Sequence, residues 1–107
     1  MIMAGAIVQA EAKLGRHTIV NTGATIDHDC LVGDFAHLAP GSRLCGGVTI
    51  GTGSLLGTGA IVIPGIAIGE WSILGAGAVA TKTIDPNSTA VGVPAQVVRS
   101  REPGWHL

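Results

Sequence analysis

A branched aliphatic side chain returns at every sixth position over most of this chain: Ile2, Val8, Leu14, Val20, Ile26, Val32, Leu38, Leu44, Ile50, Leu56, Val62, Ile68 and Leu74. Thirteen successive hits without a slip of register leave the fold little freedom. Four positions further on stands a small residue, as at Ala6, Ala12, Thr18, Ala24, Cys30, Ala36, Ser42, Ser54, Ala60, Ser72 and Ala78, with Val48 and Ile66 as exceptions. An amphipathic helix repeats every ~3.6 residues and a half-buried strand simply alternates, so a six-residue clock fits neither.

A second period lies over the first. Gly23, Gly41, Gly59 and Gly77 recur every eighteen residues, as do Leu14-Gly15, Val32-Gly33, Ile50-Gly51 and Ile68-Gly69. Three hexads therefore make one coil. A triangular coil with a short strand on each face would stack every residue over its equivalent eighteen positions away, at the ~4.8 Å spacing of neighbouring strands. The aliphatic at each hexad start fills the prism, and the small residue lets the corner close. This accounts for a core in a chain with seventeen glycines, one phenylalanine and no tyrosine, where ordinary domains fill volume with aromatics. The spacing predicts an all-β, single-stranded parallel β-helix of a little over four coils.

At 107 residues the chain is one domain. The helix is expected over 1–84 and a closing segment and tail over 85–107, where a Pro86-Asn87 turn signal precedes Val91-Gly92-Val93-Pro94-Ala95. Residues 102–107 read as a frayed end. Met1 stands almost on the first hexad, and an uncovered coil edge invites pairing, so a covering domain or neighbour is expected there. A net charge of −1 gives no footprint for nucleic acid or an anionic membrane. No apolar run approaches the ~20 residues of a membrane span and no signal peptide is evident, so a cytoplasmic location is expected. Cys30 and Cys45 then read as free thiols.

The hexapeptide clock over residues 2 to about 84 resembles that of the left-handed parallel β-helix acyltransferases; the period itself does not set the hand, which the resemblance implies. Val91-Gly92-Val93-Pro94-Ala95 is similar to the G-x-P-A segment that closes many of these helices beside the coenzyme. NTGATIDHDCLVGDFAHLAPG, residues 21–41, resembles the sialic acid and nucleotide-amino-sugar acetyltransferases, whose N-T/S…H-[DE]-C…H-x-x-P/V-G segment carries the base.

The hexad phase puts Ile26 inside and Cys30 in the small slot, leaving Asp27, His28 and Asp29 on a turn facing solvent. A neutral imidazole suits proton removal near neutral pH, and a neighbouring carboxylate can hold its tautomer. The resemblance makes His28 the general base and Asp29 its orienting acid. Gly46, eighteen residues after His28, should present its N–H one coil away as an oxyanion donor. By resemblance His37 lies near the cleft, Pro94 and Ala95 beside the coenzyme. Gly75 and Gly77 are candidates for the pantetheine arm, and Lys82, Arg99 or Arg101 for its phosphates. The implied assembly is a homotrimer transferring an acetyl group directly from acetyl-CoA to a sugar amine or hydroxyl, without metal. An N-terminal nucleotide-sugar-binding domain, which the resemblance implies for the family, is expected to be missing from this chain.

Two other classes compete. The first is a catalytically inactive scaffold, trimerisation module or fragment. The second is a zinc enzyme of the carbonic-anhydrase type, but His17, His28, His37 and His106, separated by 11, 9 and 69 residues, supply no ligand pair at that spacing. The column His17, Phe35, Gly53, Trp71 at eighteen-residue intervals reads as an exposed aromatic ridge at a subunit interface.

Overall fold

In the computed structural model, which describes residues 1–107, each hexad supplies one two-residue strand. Thirteen of them follow in order: β1 (Ile7–Val8), β2 (Lys13–Leu14), β3 (Ile19–Val20), β4 (Thr25–Ile26), β5 (Leu31–Val32), β6 (His37–Leu38), β7 (Arg43–Leu44), β8 (Thr49–Ile50), β9 (Leu55–Leu56), β10 (Ile61–Val62), β11 (Ala67–Ile68), β12 (Ile73–Leu74) and β13 (Val79–Ala80). Two longer strands, β14 (Ser88–Val91) and β15 (Gln96–Ser100), close the chain. Every third strand pairs in parallel, giving three sheets: β1-β4-β7-β10-β13, β2-β5-β8-β11 and β3-β6-β9-β12-β14-β15. The register is eighteen, as in Ile7↔Thr25, Thr25↔Arg43 and Arg43↔Ile61. The fold is a parallel β-solenoid, consistent with a left-handed β-helix.

The solenoid makes about five turns, slightly more than the hexad count. Ala80 takes the inward position where a branched aliphatic was expected. Two residues are then lost from the register, so that Ile73 pairs with Thr89 and Ile68 with Ile84, each sixteen apart, and Ile84 and Ala90 continue the core. The Val93–Pro94 peptide that follows is cis. β15 folds back antiparallel on β14.

The second residue of each strand points inward. Ile26, Leu38, Leu44, Ile50, Leu56, Ile68 and Leu74 are essentially fully buried, each contributing about 1.5–3 kcal/mol of apolar burial. The small-slot residues Ala24, Cys30, Ala36, Ala60 and Ala78 are fully buried as well. Ser54 and Ser72 add a hydrogen-bonded ladder: Ser54 Oγ donates to Gly69 O at 2.7 Å and accepts from Ser72 N–H at 3.1 Å.

Each corner is a tight turn whose third residue adopts a positive φ. One corner uses glycine throughout: Gly5, Gly23, Gly41, Gly59 and Gly77. The next carries Glu11, Asp29, Gly47 and Gly65, and the last His17, Phe35, Gly53 and Trp71. We call these the glycine, histidine and aromatic corners; β1-β4-β7-β10-β13 runs between the first two.

The second turn residue has a different problem, because its N–H points away from the coil above and below. At Gly46, Thr52, Thr58, Glu70 and Ala76 it donates to no acceptor in the chain. At Pro40 and Pro64 there is no N–H to satisfy. Asn21 Oδ1 accepts it from Thr22 at 2.8 Å, Asp27 Oδ1 from His28 at 2.7 Å and Asp34 Oδ1 from Arg16 at 2.7 Å.

The last residues depart from a frayed end. His106 stacks face to face on Trp71, with ring centroids 3.5 Å apart and planes 8° from parallel. Trp105 meets His106 edge-on, and Arg101 lies 4.4 Å from the Trp105 ring while donating to Thr89 Oγ1. Aromatic and cation–π contacts of this kind fasten a polar tail that composition alone would leave loose. The Trp71 ring itself lies in the space where a side chain at Gly53 would stand.

Candidate active site

His28 and Asp29 are the second and third residues of the turn joining β4 to β5. Asp29 has φ +60, a conformation that aspartate tolerates better than most residues. Asp29 Oδ2 lies 3.0 Å from His28 Nδ1, with both side chains about two-thirds exposed. An ionised carboxylate only accepts, so the proton sits on Nδ1 and the Nε2 lone pair is free. The hydrogen bond to Asp29 and then the charge of Asp27 raise the His28 pKa above its ordinary value, against the opposing effect of burial. Both favour the imidazolium, so the pair strengthens the base.

The imidazole lies against Gly46 on the next coil. A β-carbon at Gly46 would stand 2.7 Å from Nε2 and 2.8 Å from Cε1, so only glycine leaves room for the ring. The Gly46 N–H is among those without an acceptor. A free base and a free backbone donor thus share one edge of the solenoid.

The other sequence candidates divide between places. Lys82 falls on the same edge, two residues after Ala80, just as Pro64 follows Val62 and Gly46 follows Leu44 in the paired register. His37 is on β6, between Ile19 and Leu55 on a different sheet, with a buried Nε2 that has no partner. Gly75 and Gly77 lie at the glycine corner. Their N–H groups are already committed, to Ala90 O at 2.9 Å and Thr58 O at 2.8 Å, so they are not donors for a ligand, and Gly75 also makes room for Val91. Pro94 is exposed, while Ala95 is buried and donates to Val79 O at 2.8 Å. Arg99 is exposed on β15 opposite Thr89. Within one chain, His28, Asp29, Gly46 and Lys82 share an edge and the others do not.

Cys30 and Cys45 are free thiols. Burial raises the Cys30 pKa, and its Sγ faces Cys45 O at 3.1 Å, the surroundings of an inert thiol. His17 is stacked on Phe35 with centroids 5.3 Å apart. No group of three histidine, cysteine or acidic side chains is gathered as a metal site. A shallow depression of about 270 Å³, lined by Ile7, Gln9, Thr25, Asp27, Arg43 and Cys45, borders the histidine corner on the β1-β4-β7 face. A wider one of about 460 Å³ lies on the β2-β5-β8 face beyond it, away from Nε2.

Sequence reasoning missed the Asp27 cap and, apart from Gly46, the unpartnered second-residue N–H groups. The hexad phase held a signal for both, since it marks which residues follow each inward-pointing strand end.

No protein-family model matches the chain. Among solved structures, GDP-perosamine N-acetyltransferase from Caulobacter crescentus, in complex with CoA and GDP-perosamine, aligns with a TM-score of 0.89 and 40% identity over 92% of this chain and 50% of its own. The acetyltransferase domain of PglB from Neisseria gonorrhoeae, also solved with acetyl coenzyme A, gives 0.90 and 43% over 91% of this chain and 47% of its own. This chain shares the hexapeptide-repeat β-solenoid of these sugar acetyltransferases. A maltose O-acetyltransferase from Clostridium difficile is more distant, at 26% identity and a TM-score of 0.83 over 95% of this chain and 67% of its own. The hexapeptide-repeat chain described here spans about half the length of the first two structures.

Proposed function

We propose that this chain catalyses acetyl-CoA-dependent acetylation of a sugar amine or hydroxyl, with a nucleotide-linked amino sugar as acceptor. The observation that carries this reading is the His28 imidazole, held by Asp29 at 3.0 Å with Nε2 against the Gly46 coil. The solved complexes of the similar proteins with CoA, acetyl coenzyme A and GDP-perosamine support the choice of donor and acceptor class.

His28 Nε2 removes the proton of the attacking amine or hydroxyl as its nitrogen or oxygen bonds to the thioester carbonyl carbon. The carbonyl oxygen gains the charge, and the Gly46 N–H donates to it. Collapse breaks the carbon–sulfur bond; the imidazolium gives its proton to the departing thiolate. Asp29 keeps the tautomer throughout and stabilises the imidazolium. Lys82, on the His28 edge, and Arg99 would meet the phosphates; Pro94 and Ala95 form the turn beside which the coenzyme would pass, with His37 near the cleft. The pair is two-thirds exposed in a single chain, which leaves it open to a wall supplied by a second copy. A cytoplasmic homotrimer would supply that wall in a closed threefold arrangement.

The test is calorimetric titration of acetyl-CoA into the wild type and His28→Ala, with oligomer mass recorded on the same samples, followed by turnover on GDP-perosamine and related amino-sugar nucleotides. Binding by both proteins with turnover by the wild type alone is expected. A well-folded trimer that binds no acetyl-CoA would overturn the transferase reading in favour of a scaffold.

A further inference from the structure

Asp27 has no part in the mechanism above, yet it is the residue that deals with the unpartnered N–H of His28. Its Oδ1 accepts that N–H at 2.7 Å, and it lines the depression beside the corner while remaining half-buried. Along the same edge the Gly46 N–H is free and Pro64 has none. Without the Asp27 cap, His28 would present a further free donor beside those of Ala10 and Gly46, and the turn would lose the contact that ties its second residue to the end of β4. The imidazole lies against Gly46, where a β-carbon would stand only 2.7 Å from Nε2. A small rotation of the turn would lift it off.

We propose that Asp27 is a positioning residue: by capping the His28 backbone N–H it locks the turn so that the imidazole rests on Gly46. This deepens the reading of His28 as base but is tested separately from it. A displacement of a reacting group by about 1 Å can cost on the order of a hundredfold in rate, so the cap acts through geometry.

The experiment uses the full chain. An Overhauser contact between the His28 ring protons and Gly46 Hα is measured in the wild type, Asp27→Ala, Asp27→Asn and Asp34→Ala; CoA release from acetyl-CoA with GDP-perosamine is followed in parallel. Asparagine keeps the acceptor oxygen, so Asp27→Asn should retain the contact and lie within a few-fold of wild-type kcat. Asp27→Ala should lose the contact and at least about tenfold in kcat, with KM for acetyl-CoA little changed. Asp34→Ala removes a carboxylate cap at the aromatic corner, there reaching across one coil to the Arg16 N–H, and should leave the His28 contact intact. An unaltered contact in Asp27→Ala overturns the proposal; so does its loss in Asp34→Ala, which would assign the effect to general loosening of the corners. Undiminished turnover by His28→Ala would instead sink the base reading, while the ring-to-glycine contact still decides the role of Asp27.

Discussion

The glycine corner and the histidine corner meet the same backbone demand in different ways. Both need a positive φ at the third turn residue, and the glycine corner answers with glycine in every coil, the residue that takes this conformation without a β-carbon clash. The histidine corner places Glu11 and Asp29 there instead, at φ 61 and 60. For an L-residue the left-handed region costs about 1–2 kcal/mol. At Asp29 that strain accompanies a carboxylate aimed at an imidazole, and one coil later the corner returns to glycine at Gly46 and Gly47, where the ring needs space. The glycine corner is thus regular in every coil, while the histidine corner departs from glycine over the coils that lead into the base.

The sharpest way to break this contrast is His28→Ala. It should lower kcat by about a hundredfold to ten-thousandfold, the usual contribution of a general base, while thermal melting stays near wild type because the side chain is exposed. A mutant that melted early would make the histidine corner structural after all. Gly46→Ala comes next. Gly46 is not among the positive-φ residues, so alanine suits the backbone, but its methyl would displace the His28 ring; a kcat loss of about tenfold to a hundredfold is expected with little change in melting.

Gly59→Ala should do the reverse at the glycine corner. Its β-carbon would meet nothing within 4 Å, yet φ is +71, so the change costs about 1–2 kcal/mol of strain, read as a melting temperature several degrees lower with kcat unchanged. Asp29→Asn is the smallest perturbation, because asparagine tolerates the same φ and keeps an acceptor oxygen. The acid limb of the rate profile, set by the raised His28 pKa, should move to lower pH. The sign also reaches stability: the Asp29–His28 pair stabilises the fold fully below the ordinary imidazole pKa of ~6.5 and loses that contribution as pH rises through the raised folded value. The asparagine variant should show a weaker dependence over that window in pH-dependent melting.

Much of the fold was legible before any coordinates. Ile26 inside, Cys30 in the small slot and the three residues between them on a turn all follow from counting in sixes. The fifth coil was harder to read, because Ala80 breaks the rule of branched aliphatics and two residues then drop out before Ile84. Both are local exceptions that a strict period treats as its end. The docked tail was equally hidden: Trp105 and His106 are polar or semi-polar residues near a chain end, and only the position of Trp71 over Gly53 gives them a surface to stack on.

What the sequence alone determined is the architecture. A six-residue clock with an eighteen-residue overtone has one stacking pattern apart from its hand, in which burial of one aliphatic per strand and pairing of nearly every strand amide agree at each coil. What the tertiary structure decided is which polar groups are spent and which remain free. His28 and Asp29 are adjacent in any conformation, but their 3.0 Å contact, the Asp27 cap and the unpartnered Gly46 N–H depend on turn geometry and on the coil above. Hydrogen bonds are directional over a few tenths of an ångström, whereas hydrophobic burial is not; a periodic pattern therefore fixes the stack long before it fixes the site.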